Sequence, residues 1–452
     1  MLRTFQLSPN GWRSWLLLQR GYNPIMRRTQ DWFELARFGL FIHWGPYARA
    51  GWEASWPLVG GVSTLPFGQD IPAQTYHANA EGWQPDPAAP EKWIAAAAAA
   101  GMRYAVLTTR HHDGYAMWPS QYGDHGVGRT APGVDIVGAF TDACRRHGLK
   151  VGLYYSLPDW HHPAYPPFTD AMRPYVFGEY PEPTPEGLAE YQAYLRSQIT
   201  ELLTNYGRID IIWFDGAWER SPEMWDADGL ESLIRKLQPE ILINDRLPGH
   251  GDYATPEQFV PPEPPVEPWE TCLTMNMSWG FNPSDDHYKS STVLLHTLCE
   301  VASRGGNLLL NIGPQGDGNI PEPQADRLAQ IKRWMDRHEE AIIGTTPGLK
   351  PWQFPGPTTL KGETLYCHLL MQPVAPVSVR GVPVRHVQNV RVLGQDHPLP
   401  FETRIPVLDE LNDVDGLGEL VIDVPEVMRD PVCTVIVVEF DCDPAGFEPE
   451  AS

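Results

Sequence analysis

Several things are scarce or missing in this chain of 452 residues, and each absence excludes a class of protein. No apolar run reaches the roughly 18 residues that a membrane-spanning helix needs. Cysteine is sparse: Cys144, Cys272, Cys299, Cys367, Cys433 and Cys442 are scattered with no CxxC spacing, which argues against a zinc knuckle and against a disulfide framework. Positive charge is also short, with 34 basic residues against 57 acidic ones and a net charge of −23. Such a surface repels phosphate backbones, so nucleic acid is not expected as a partner, and a neutral or cationic substrate fits better. There is no internal repeat and no block of like charge. The apolar run Trp15–Leu18 behind Arg13 is too short for a secretory core and lacks a small-residue cleavage site, so a cytoplasmic protein without a membrane partner is expected.

What remains is an apolar fraction of 42% with 17 tryptophans, enough for a large core with aromatics left over to line a cleft. Residues 1–27 carry no sustained period and read as an arm. From residue 28 to about 344, apolar strands alternate with amphipathic helices. The expected strands are Gly39–Trp44, Tyr104–Thr109, Val151–Tyr155, the stretch Arg208–Trp218, Glu240–Asn244, Glu270–Met277 and Asn307–Ile312. Helices are expected at Ile136–His147, Met224–Leu237 and Glu322–Ile343, with a long one striped by Leu188, Tyr191, Leu195, Ile199, Leu202 and Tyr206. Strand–helix alternation in this order predicts right-handed βα units closing into a (β/α)8-like, TIM-type barrel. Between Leu247 and Pro268 lies a proline-rich loop. Beyond Gly344 the period drops to two, over Thr364–Met371, Val387–Leu393, Glu419–Val424 and Thr434–Phe440 among others, which predicts a C-terminal antiparallel β-sandwich over 345–452.

In a barrel of this kind chemistry is done at the C-terminal tips of the strands. Those tips carry His43, His111, His112, Tyr154, Tyr155, Trp213, Asp215 and Arg246, followed by Glu257 or Glu270 and then Trp279 and Phe281. Strand tips lie outside the packed layers, so this many polar and aromatic groups there is hard to explain as core filling. Imidazoles that donate to ring hydroxyls and tryptophans that offer flat apolar walls suit a sugar. Trp56 and Trp213 are the better pocket candidates, whereas Trp15, Trp334 and Trp352 read as packing residues. A metal-dependent hydrolase using His43, His111, His112 and Asp215 is the alternative. Against it, adjacent strand residues point to opposite faces, so His111 and His112 would not meet one ion on a regular strand.

The segments FGLFIHWGPY, TTRHHDGYAMW, VGLYYSLPDW, IIWFDG, INDR and SWGFN occur in that order between about Trp32 and Pro321. Together they resemble the signature segments of the α-L-fucosidases of glycoside hydrolase family 29. That resemblance implies a retaining exo-glycosidase on a (β/α) barrel with a C-terminal β-sandwich, acting on fucosylated oligosaccharides or glycoconjugates without metal or organic cofactor. It implies Asp215 as the nucleophile and places His43, His111, His112, one of Tyr154 and Tyr155, Trp213 and Arg246 in the sugar pocket. For the acid/base it offers Glu257, in TPEQF, with Glu270, in PWETC, as an alternative. Where many relatives have Glu-Trp-Tyr this chain has Ser55-Trp56-Pro57, so Glu53, two residues earlier, is a further alternative. Glu270 opens its strand, and a strand rises about 3.3 Å per residue, which puts it some 15–20 Å from the tips; Glu257 is therefore preferred. A fucose-binding relative without catalysis is the remaining reading, and self-association into a homo-oligomer is an open expectation.

Overall fold

In the computed structural model, residues 31–60, 69–167, 169–173 and 181–448 are described. Residues 1–27, expected to form an arm, lie outside them. Seven parallel strands form one sheet: β1 (Phe38–Ile42), β2 (Tyr104–Arg110), β3 (Lys150–Ser156), β4 (Ile211–Asp215), β5 (Leu242–Ile243), β6 (Glu270–Thr274) and β7 (Asn307–Ile312). The strand order is β5-β4-β3-β2-β1-β7-β6, so the sheet curls until β5 and β6 are its two edges. Each expected strand is present. Those read as Arg208–Trp218 and Glu240–Asn244 are shorter, because only the residues sealed between neighbouring strands pair regularly.

The gap between the edges is not empty. Isolated parallel bridges join Asn244 to Tyr253, Ala254 to Trp269 and Glu257 to Cys272. Residues 253–257 thus lie along both edges at once, in the place of an eighth strand. Backbone hydrogen bonds run from Asp245 N to Tyr253 O on one side, and from Glu270 N to Ala254 O and Cys272 N to Pro256 O on the other. This corrects the reading of the whole of 247–268 as a proline-rich loop. Pro256 has no N–H to give, which keeps the pairing to single bridges. The non-glycine Gln258 at φ +62° then turns the chain out.

Two apolar layers follow from strand alternation. The barrel interior is filled by Phe41, Tyr104, Val106, Tyr154, Ile211, Trp213, Leu242, Tyr253, Cys272 and Leu309, one or two from each strand. Their sequence neighbours, such as Leu40, Leu107, Tyr155, Ile212 and Leu310, pack outward under the helices. Helices run over Ala89–Ala99, Ile136–Arg146, Pro185–Asn205, Ala227–Leu237, Ser291–Ser303 and Glu322–His338. Several starts are capped as their sequences require: Asp135 accepts from Gly138 N, Thr184 from Gly187 N ahead of Pro185, and Ser290 from Val293 N. The single helix expected over Met224–Leu237 is broken, because Asp226 takes φ +48° and splits it into Pro222–Trp225 and Ala227–Leu237. Among the described residues no helix is long and apolar enough to cross a membrane.

After Thr346 the strands are antiparallel. One sheet orders β12 (Val387–Val392), β15 (Thr434–Phe440), β10 (Thr364–Leu369), β9 (Thr358–Lys361) and β8 (Thr346–Pro347). The other orders β11 (Val377–Val382), β14 (Gly418–Ile422) and β13 (Phe401–Arg404). Leu365, Cys367, Ile436 and Val438 of the first share one core with Val379, Val382, Leu420 and Ile422 of the second, which makes a sandwich. The fold is the expected barrel with a C-terminal β-sandwich.

The interior of the barrel leaves no slack at Gly39, where an added Cβ would sit 2.4 Å from the ring of Tyr104. Gly39→Ala must push that ring aside. The expected cost is about 1–3 kcal/mol, read as a lower denaturation midpoint with an unchanged slope; an unaltered midpoint would show that Tyr104 is free to move.

Candidate active site

The strand tips surround a small pocket lined by Phe41, His43, Trp56, His111, Tyr154, Trp213, Asp215, Trp218, Arg246, Glu257, Cys272 and Trp279. Asp215 ends β4, and Gly216 follows at φ +82°, where a Cβ would come within 2.3 Å of Pro158. That left-handed turn stops the strand directly behind the carboxylate.

Asp215 is buried and held at both oxygens. Tyr154 donates its hydroxyl to Oδ2 at 2.8 Å, and Arg246 donates Nη1 to Oδ1 at 2.8 Å. Burial alone would raise its pKa, but the Arg246 charge, with the hydrogen bonds from Arg246 and Tyr154, outweighs it and holds the carboxyl below its ordinary 3.8. The same guanidinium donates Nη2 to Glu257 Oε2 at 2.7 Å and lies 4.6 Å over the Trp213 ring. One cation therefore spans two carboxylates brought from β4 and from the bridging segment, and Glu257 keeps a third of its side chain exposed at the mouth.

Each histidine has a definable protonation. Asn311 donates Nδ2 to the Trp279 carbonyl at 2.7 Å, so its Oδ1 accepts from His43 Nδ1, also at 2.7 Å. Burial lowers the His43 pKa to about 4, opposed by that hydrogen bond. The ring is neutral and its Nε2 is an acceptor, which corrects the expectation that it donates to hydroxyls. His112 Nδ1 contacts Ser156 Oγ, whose own proton goes to Pro158 O, so Nδ1 is the donor. Its Nε2 is left buried without a hydrogen-bond partner, 3.6 Å from Asp215 Oδ2, and burial brings the pKa to about 4. His111 pairs with Ser55 Oγ at 2.6 Å and lies parallel to Tyr154, with centroids 5.7 Å apart.

Not every expected residue reaches the pocket. His112 does not line it; it packs behind Asp215 against Trp56 and Trp160. Of the two tyrosines Tyr154 faces inward, while Tyr155 faces the helices and donates to Gln198 at 2.9 Å. Phe281 packs into the outer core rather than the pocket, because the turn Ser278–Phe281 presents only Trp279. That turn is fixed by Glu53, whose two oxygens accept from Trp279 N at 2.7 Å and Gly280 N at 2.9 Å, so Glu53 is occupied away from the mouth. Glu270 is fully buried and accepts from the Tyr104 hydroxyl and, at 3.0 Å, from Trp213 Nε1. Burial lifts its pKa to about 7 against those two hydrogen bonds. It anchors the pocket floor from below, as its place at the start of β6 required.

Three lining residues were missed. Phe41 and Cys272 precede or follow named residues by two on β1 and β6, so strand alternation alone could have found them. Trp218 stands at the rim, 39% exposed, three residues after Asp215. On the alternative metal reading, two groups of three potential ligands converge within 4.8 Å among the described residues, and His43, His111, His112 and Asp215 form neither.

The family described as alpha-L-fucosidase matches residues 22–340. An alpha-L-fucosidase of Branchiostoma floridae is 31% identical over 410 residues, covering 83% of this chain and 86% of its own. The tissue alpha-L-fucosidase of Homo sapiens is 29% identical over 385 residues, 77% of each chain. Among solved structures, alpha-L-fucosidase isoenzyme 1 from Paenibacillus thiaminolyticus has a TM-score of 0.78 at 35% identity, covering 91% of this chain and 98% of that one.

Removing the floor anchor strands two buried donors, the Tyr104 hydroxyl and the Trp213 indole. Glu270→Ala is expected to cost about 2–5 kcal/mol, seen as a lowered Tm, and to show no rescue of turnover by azide. Wild-type stability with azide-dependent activity would instead put Glu270 into the chemistry.

Proposed function

Because this chain belongs to the α-L-fucosidases of glycoside hydrolase family 29, we propose that it releases terminal α-L-fucose by double displacement, with Asp215 as nucleophile and Glu257 as acid/base. The observation that carries the assignment is the Arg246 guanidinium shared between these two carboxylates inside one aromatic-lined pocket. A retaining pair works at a separation of about 5–5.5 Å, an inverting pair at about 6.5–9.5 Å. The family implies the closer arrangement, which a single bridging guanidinium is able to span. Fucosylated glycans are the substrates such a family implies.

In the first step Asp215 attacks the anomeric carbon as the bond to the leaving oxygen breaks, and Glu257 gives that oxygen its proton. In the second, the Glu257 anion takes a proton from water, the water oxygen attacks the same carbon, and Asp215 leaves as a carboxylate. Arg246 and the Tyr154 hydroxyl keep Asp215 ionised and aimed. Neutral His43 accepts from a ring hydroxyl through Nε2. Phe41, Trp213 and Trp279 offer apolar surface to the methyl group of a 6-deoxy sugar. Trp218 at the rim faces the aglycone.

The stereochemistry of azide rescue separates the two roles. Asp215→Gly should lose turnover and, with azide, yield the β-fucosyl azide, since azide takes the nucleophile's place. Glu257→Ala should slow natural fucosides by about 10²–10⁴-fold and an activated aryl fucoside much less, and azide should then give the α-fucosyl azide. Wild-type turnover of Asp215→Gly without azide, or exchanged anomers, would overturn the assignment.

The pH profile follows from the same groups. Asp215 must be ionised to attack, and its carboxyl titrates below 3.8, so activity should fall on the acid side only beneath that value. That acid limb belongs to Asp215 and should persist in Glu257→Ala assayed with the aryl fucoside. An acid limb near neutrality would contradict the role of Arg246.

A further inference from the structure

Away from the pocket, a ring nitrogen of His368 and the Sγ atoms of Cys299 and Cys433 lie within 4.8 Å of one another, all three residues buried. They come from separate parts of the fold. Cys299 is on the helix Ser291–Ser303 that covers the barrel, His368 on β10, and Cys433 directly before β15. The backbone around Cys433 is already pinned to barrel helices, since Trp334 Nε1 donates to Cys433 O at 3.1 Å. The cluster sits on the seam between barrel and sandwich.

Buried cysteines most often serve as small apolar residues. The histidine makes that reading insufficient here. Thr359 donates its one hydroxyl proton to Ala341 O at 2.6 Å, so at 3.0 Å from His368 Nε2 its oxygen must accept from that nitrogen. The tautomer is thereby fixed: Nε2 carries the proton, and Nδ1 keeps a lone pair. That Nδ1 is buried without any hydrogen-bond partner. A chain of this type, from carbonyl through hydroxyl to imidazole, is what orients a metal-bound histidine. Burial lowers the His368 pKa to about 3, so the ring stays neutral and available.

We propose that Cys299, Cys433 and His368 Nδ1 bind one zinc ion that clasps the sandwich to the barrel. Two thiolates and a neutral imidazole give Zn²⁺ a site of zero net charge, which a buried, apolar location tolerates, whereas Cu⁺ in the same place would leave a buried negative charge. The Cys299 thiol is pushed up by its contact with Cys433 and by burial, so its proton has to leave when a metal binds. Binding forms two Zn–S bonds and one Zn–N bond, releases two thiol protons per ion and leaves the fourth tetrahedral position of the zinc to a water. The ion lies in the seam and takes no part in hydrolysis.

The test uses the full chain purified from zinc-containing medium and dialysed. Elemental analysis should give one zinc per chain, absent from Cys299→Ser and from Cys433→Ala, with a lower Tm and an unchanged kcat on an aryl fucoside. Should either variant fail to fold, the wild-type protein stripped by a chelator and titrated with Co²⁺ should develop thiolate-to-cobalt charge-transfer absorption and release two protons per ion. Zinc retained in both variants, copper in place of zinc, a Cys299–Cys433 disulfide by mass, or no absorption and no proton release on Co²⁺ titration would overturn the site.

Discussion

The whole site depends on how the barrel closes. Seven strands leave a gap, and residues 253–257 fill it through single parallel bridges to Asn244, Trp269 and Cys272 rather than through a continuous ladder. A regular strand in that place would bury its residues in a hydrogen-bonded stave. The sparse pairing instead lets the segment end in Glu257 at the mouth, with the left-handed Gln258 carrying the chain away. Arg246, just beyond β5, then reaches Asp215 with one nitrogen and Glu257 with the other. Closure, positioning and charge balance are one constraint.

Around that pair the polar groups are spent on orientation. Tyr154 holds Asp215; Glu270 holds Trp213 from beneath; Glu53 holds the backbone of Trp279; Asn311 fixes which nitrogen of His43 carries the proton. Two of these carboxylates, the half-buried Glu53 and the fully buried Glu270, are raised in pKa to about 8 and about 7, while Asp215 is held down by Arg246. Carboxyl groups of one kind thus take different roles by environment: the anion is kept where a cation faces it. The buried histidines stay neutral and act as acceptors or supports, so among the described residues the only full positive charge touching the carboxylate pair is Arg246.

Much of this was legible in the sequence. The period of the apolar residues gave seven strands, the change to period two announced the sandwich, and Asp215 stood at a strand tip whatever the detail of its neighbours. Strand alternation also limited the tyrosine pair to one inward member, and the early position of Glu270 in β6 argued it away from the chemistry. What stayed hidden depends on contacts rather than on pattern. The bridging segment 253–257 has no strand-like period and carries Pro256, so nothing local marks it as part of the barrel. Which way His112 and Phe281 face is set by a bulged strand end at Thr108–Arg110 and by a turn tied to Glu53. The tautomers of His43 and His112 follow from a side-chain amide and a serine hydroxyl more than 40 residues distant.

The central claim is that Asp215, held by Arg246 and Tyr154, bonds to the sugar. The most direct measurement is to incubate the enzyme with an activated 2-deoxy-2-fluoro-α-L-fucoside and map the adduct by peptide mass spectrometry. A fucosyl ester on Asp215, formed in wild type and in Glu270→Ala, is the result this account predicts. Labelling of Glu257 or Glu270, or turnover with inverted product and no adduct at all, would contradict it.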